Sequence, residues 1–157
     1  MIEHLAFAAV LVALTVTIHF FGLIALLWVL RSRADVLHAH HSWIRQGAAI
    51  VLVVLGLMAI HTVQVWLYAV AYLSLDALPD LETALYFSTS SFTTIGYGDV
   101  VLDRKWRLVA AIEGANGLLL FGWSTAFLIS ITSRVRVLEH DWLGHRGADK
   151  QIEAKSA

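Results

Sequence analysis

Residues 93–99 read Thr93-Thr94-Ile95-Gly96-Tyr97-Gly98-Asp99, and this stretch decides the fold of the whole chain. Two glycines at alternate positions allow backbone angles that ordinary residues resist, so the run suits a loop whose successive carbonyls turn toward one axis. Thr94 adds a carbonyl and a hydroxyl to that row of oxygens. Ile95 and Tyr97 are expected to point away and brace the loop. Taken alone, the run is a Gly-rich turn. Its surroundings give it another meaning, because a short amphipathic segment precedes it and a long apolar one follows.

Working outward, three apolar runs stand out, at about 5–30, 47–75 and 106–132. Each is about long enough to cross a hydrocarbon core of about 30 Å with some tilt. The 157 residues are 59% hydrophobic with a mean hydropathy of +0.72, values that favour an integral membrane protein over a soluble domain. Six Trp and one Pro agree with long helices anchored at interfaces. The absence of Cys excludes disulfides and cysteine metal sites. The first run is too long for a signal peptide and reads as a retained span. Between the second and third runs, residues 79–92 are too short and too polar to cross. Pro79 suits a helix start there, and Asp80 and Glu82 complement the positive end of its dipole. The segment predicts a re-entrant helix leading into the 93–99 loop, tolerable at that depth only when buried in protein or lining water.

Residues 31–46 carry Arg31, Arg33 and Arg45. Residues 133–157 carry Arg134, Arg136, Arg146, Lys150 and Lys155. The positive-inside rule places both segments in the cytoplasm and the N-terminus outside, although Arg104, Lys105 and Arg107 oppose it. The expected organisation is a leading helix and cytoplasmic loop over 1–46, a module of two spans with a re-entrant segment between them over 47–133 and a cytoplasmic tail over 134–157. Within the module lie a helix 47–75, a short re-entrant helix 79–92, a loop 94–98 and a helix 106–133. The tail from about Gly144 is expected to fray, while Val135, Leu138 and Trp142 recur at helical spacing and suggest continuation along the membrane surface.

Residues 78–132, with pore helix, Thr-Ile-Gly-Tyr-Gly-Asp loop and apolar helix in that order, resemble the pore module of potassium channels. In its single leading span the chain resembles small bacterial ion-channel proteins. The resemblance implies an all-α membrane protein with three transmembrane helices plus a re-entrant pore helix and filter loop, assembled as a homotetramer. One loop cannot surround an ion, so four copies are required. Carbonyls at Thr94, Ile95, Gly96, Tyr97 and Gly98 would replace the water of K⁺, with ions held at Thr94, Ile95, Gly96 and Tyr97. Thr93, Ser90 and Asp99 would support the filter. Gly117 falls at the hinge position of the inner helix, with Phe121 and Thr125 toward the central cavity. Tyr86 and Phe87 stand where the family often has Trp, and Ser90 where some members have a Glu paired with the Asp after the filter. That departure removes expected partners of Asp99. Leu102 replaces a common Pro.

Several polar residues lie at membrane depth, where they are costly and usually functional. His61 and Glu113 are expected to pair, with Gln64 and Asn116 nearby. His19 reads as a helix-contact residue. His38, His40 and His41 form a loop cluster that fits a solvated loop better than a metal site. Asp76, Asp80, Glu82, Asp99 and Asp103 gather near the expected outer mouth, where they would concentrate cations. No Arg or Lys recurs at three-residue steps in the first two spans, which excludes an S4-type voltage sensor.

The leading function is therefore a potassium-selective channel in a plasma membrane, expected to be prokaryotic. It is not an enzyme and carries no cofactor other than transported K⁺. Its expected partners are the lipid bilayer, three further copies of itself and a regulatory protein at the tail, with no nucleic acid. The alternatives are a non-conducting, channel-like regulatory subunit and a haem protein with His19 and His61 as axial ligands. The gating stimulus, the choice between filter and inner-helix gates, and the role of the first helix are left open.

Overall fold

Hydrocarbon offers the backbone no hydrogen-bond partners, so a spanning segment must satisfy its own, as a helix does. The computed structural model describes residues 2–32 and 43–156, and side chains for 2–32 and 47–133. They form four helices and no strand: α1 (Ile2–Ser32), α2 (Trp43–Ser74), α3 (Leu81–Phe92) and α4 (Arg107–Ser156). Ile2–Ser32, Gly47–Ser74 and Arg107–Ser133 are each long and apolar enough to cross a membrane. The fold is an all-α membrane architecture in which α3 is the one described helix too short to span.

Helix α1 buries a stripe of Ala8, Leu11, Thr15, His19, Leu23 and Leu26, spaced by three or four residues. Its opposite face exposes Phe20, Phe21 and Trp28, as a lipid-facing helix does. Hydroxyls in the spans are satisfied locally: Thr17 donates to the Ala13 carbonyl and Thr62 to that of Met58. Small residues let helices approach. A methyl at Gly56 would lie 2.7 Å from Leu26 Cδ1, and one at Gly22 equally close to Ile60 Cγ1. Leu23, Leu26, Val53 and Leu57 form one apolar cluster between α1 and α2. A larger cluster centres on Tyr68, Tyr72, Phe87, Phe92, Val109 and Leu120 and seats α3 against α2 and α4.

Helix α3 begins at Leu81, two residues beyond Pro79. Asp80 is its N-cap, accepting from the Thr83 N–H at 2.9 Å and the Thr83 hydroxyl at 2.8 Å. These bonds hold the Asp80 carboxyl below its usual range. The other end stops where Thr93 caps the helix and the filter run begins. Helix α4 continues unbroken to Ser156, so the tail is helical where fraying was expected. Good helix formers such as Ala, Glu, Lys and Gln recur there without a proline.

Candidate functional site

The loop after α3 turns on alternate residues. Thr94, Gly96 and Gly98 have φ of +61°, +57° and +80°. An L-residue with a branched side chain rarely adopts such an angle, so Thr94 is strained where the two glycines are not. Hydrogen bonds to the end of α3 hold this shape. Thr94 N–H donates to the Ser91 carbonyl at 3.0 Å, and Ile95 and Gly96 N–H both donate to the Ser90 carbonyl at 2.9 and 3.1 Å. Tyr97 N–H reaches the Ser90 hydroxyl at 3.4 Å, and Thr93 Oγ1 donates back to Thr89. With its amide hydrogens drawn to α3, the loop leaves its carbonyls free for a ligand. Ile95 is 55% and Tyr97 73% exposed, so within one chain nothing covers the two side chains that should brace the loop.

Asp99 is not left without a partner. The Tyr86 hydroxyl donates to its Oδ2 at 2.7 Å, replacing the lost Trp and Glu by a bond from the same helix face. This bond pulls the Asp99 carboxyl below its usual range. A depressed carboxylate contributes stability above its ordinary pKa and loses it as pH falls through the lowered one. The outer brace should therefore hold at neutral pH and weaken only in acid, as the pH falls through the lowered Asp99 value. In Tyr86→Phe the Asp99 carboxyl should titrate at higher pH than in the wild type, read by following Asp99 with NMR against external pH. Behind the loop lies an open cleft of about 290 Å³, lined in part by Tyr86, Ser90, Asp99 and Arg107.

Below the 94–98 loop, α4 meets the end of α3 directly. A methyl on Gly117 would overlap the Phe92 carbonyl, so this glycine serves a close backbone contact. Phe121 is half-buried, its ring 4.4 Å from that of His61 and 5.7 Å from that of Phe92. It packs inside the subunit. Of the two cavity candidates only Thr125 is exposed, with its hydroxyl returned to the Phe121 carbonyl.

The expected His61–Glu113 pair is not formed. His61 Nδ1 meets Gln64 Oε1 at 3.0 Å and its Nε2 meets Ser124 Oγ at 2.9 Å. Both carboxyl oxygens of Glu113 are taken by other groups, Tyr72 and Ser88, each at 2.6 Å. Each residue thus completes its bonds within its own layer. Asn116 donates to the hydroxyls of Thr15 and Tyr68, tying α4 to α1 and α2. His19 is fully buried, shares its Nδ1 with Gln64 Nε2 at 3.3 Å, and leaves Nε2 without a partner. Its ring centre lies 5.4 Å from that of His61, so the two histidines share a depth. His38, His40 and His41 lie outside the described residues, as do the side chains of Val135, Leu138, Glu139, His140 and Trp142. Among the described residues no group of three or more His, Cys, Asp or Glu could hold a metal ion.

Tyr72, Ser88 and Ser124 escaped the sequence reading. Each is an ordinary polar residue in an apolar run, and only the facing helix gives it a partner. The faint signal was Glu113, because a carboxyl at that depth demands donors nearby.

No curated protein and no solved structure matches the chain. A family described as Ion channel matches residues 50–134, more than half of its length. That match runs through α2, α3, the strained loop and the spanning part of α4, and by it the chain belongs to the ion channel family.

Proposed function

We propose that the protein is a potassium-selective channel, in which four copies place their 94–98 loops around one axis. The observation that carries this reading is the alternation of left-handed residues at 94, 96 and 98, with the intervening amides tied to Ser90. Alternating backbone hand turns successive carbonyls to one side, and rings of such oxygens can replace the hydration shell of K⁺. Thr94, Ile95, Gly96 and Tyr97 would supply the ion sites, with Gly98 at the outer end. Thr93, Ser90 and Asp99 would hold the loop in shape.

Assembly follows from closure. A single loop lines one side of an ion, and a four-fold ring is the closed arrangement that surrounds it. The exposed Ile95 and Tyr97, and the open cleft behind the loop, are surfaces that a neighbouring copy would cover. Helix α4 would line the conduction path, α2 would pack outside it, and Thr125 would face the cavity. The C-terminal end of α3 directs the negative end of its dipole toward that cavity, which favours a cation there. By the positive-inside rule the tail and the 31–46 loop would lie in the cytoplasm and the N-terminus outside, and the membrane we propose is a prokaryotic plasma membrane. A regulatory protein at the tail would be the remaining partner.

The test is flux into liposomes that contain only this protein. Uptake of K⁺ and Rb⁺ should exceed that of Na⁺ by more than about tenfold, the signature of carbonyl coordination. Equal uptake of all three would end the reading. Uptake of none, by folded tetramers, would point to a non-conducting subunit.

A further inference from the structure

Glu113 is 0% exposed in the spanning part of α4, and its two oxygens meet hydroxyls rather than a cation. The number of available protons decides its state. Tyr72 O–H donates to Oε2 at 2.6 Å. Ser88 Oγ lies 2.6 Å from Oε1 and also 3.0 Å from the Val65 carbonyl on α2. A carbonyl only accepts, and a serine hydroxyl has one proton to give. If Ser88 gave that proton to Glu113, its oxygen would face the Val65 oxygen with no hydrogen between them. If Ser88 gives it to Val65, the short contact with Glu113 needs a proton from the acid. Only the second arrangement satisfies every oxygen in the chain Tyr72→Glu113→Ser88→Val65. Glu113 and Ser88 are both fully buried, so the unsatisfied arrangement is the costly one.

We infer that Glu113 is a positioning residue for the filter, acting as a protonated latch that fastens the inner helix to the pore helix through Ser88. The inference rests on the conduction reading for its effect on ions, but not for the proton itself. Ser88 lies two residues before Ser90, whose carbonyl holds the amides of Ile95 and Gly96. The residue after Glu113 adds to the contact, since a methyl on Gly114 would come within 3.1 Å of the Ser91 carbonyl. A slide of α4 along α3 must therefore break the latch or drag the carbonyls that shape the filter. Ser88 also ties this unit to the backbone of α2, so three helices move together or not at all.

Two measurements test the latch on full-length protein in lipid. The first is infrared absorption in mildly alkaline buffer. A protonated carboxyl band should be present in the wild type, absent from Glu113→Gln and shifted in Ser88→Ala. No such band in the wild type would overturn the inference. The second is selective flux. Gln can donate to Ser88 and accept from Tyr72, so Glu113→Gln should stay within about twofold of the wild type, while assembled Glu113→Ala should lose about tenfold in K⁺ over Na⁺ preference. Equal defects in Gln and Ala variants would show that the site needs a charge, and an unimpaired Ala variant would reduce Glu113 to packing. Either result would overturn the latch. Should Glu113→Ala fail to assemble, Ser88→Ala stands in for it, and wild-type selectivity in that variant would be equally fatal. A non-conducting wild type that shows the band would refute the potassium reading and leave the proton in place.

Discussion

Gly96→Ala should abolish potassium selectivity in reconstituted protein while the helices still assemble. Gly96 holds φ at +57°, and a methyl added there would meet nothing within 4 Å, so crowding is not the cause. The backbone angle is. A left-handed L-residue costs about 1–2 kcal/mol, and four copies around one axis would carry about 4–8 kcal/mol. The loop already bears a β-branched residue in that region at Thr94, so little tolerance is left. The least costly escape is rotation of a peptide plane, which would turn a carbonyl away from the ion. Rb⁺ uptake measured against Na⁺ should lose at least about tenfold in preference, since one missing ring of oxygens removes a coordination shell. Gly47→Ala is the control, because Gly47 has an ordinary φ and open space around it. Unchanged selectivity in Gly96→Ala would refute the carbonyl mechanism.

The second large effect belongs to Gly117→Ala. Its added Cβ would lie 2.8 Å from the Phe92 carbonyl carbon and 3.1 Å from Cγ of the Phe92 ring, and it would overlap the carbonyl oxygen. Two backbones cannot yield by changing rotamer, so α3 or α4 must move. Overpacking of this kind costs about 1–3 kcal/mol or more per chain. A hinge glycine would respond differently, because alanine would stiffen the helix and alter gating with assembly intact. The close contact predicts a lower melting temperature for the assembly and a damaged filter together. Thermal melting in detergent, paired with flux, separates the two. Unchanged melting with altered opening would return Gly117 to the role of a hinge.

The spans were legible because 18 or more apolar residues leave few alternatives to a membrane helix. The backbone of the 94–98 loop was legible because glycine at alternate positions signals left-handed backbone. Contacts between helices were not. The sequence puts His19 and His61 in separate spans, and only packing brings their ring centres to 5.4 Å. His61 and Glu113 both lie at membrane depth, but a helix also has faces. His61 turns toward Ser124, and Glu113 toward Tyr72 and Ser88. Asp99 shows the same limit. Comparison with the family revealed a missing partner, while only the packed helix showed Tyr86 in its place.

The fastening of α1 has a practical corollary. Gln64 donates to the Thr15 carbonyl, and Asn116 donates to the Thr15 hydroxyl. Shorn of this leading segment, the two-span remainder would offer an amide from each of its long helices to oily tails that return no hydrogen bonds. The other two spans thus depend on α1, and a minimal version of this protein would need those amides replaced before it could stand alone.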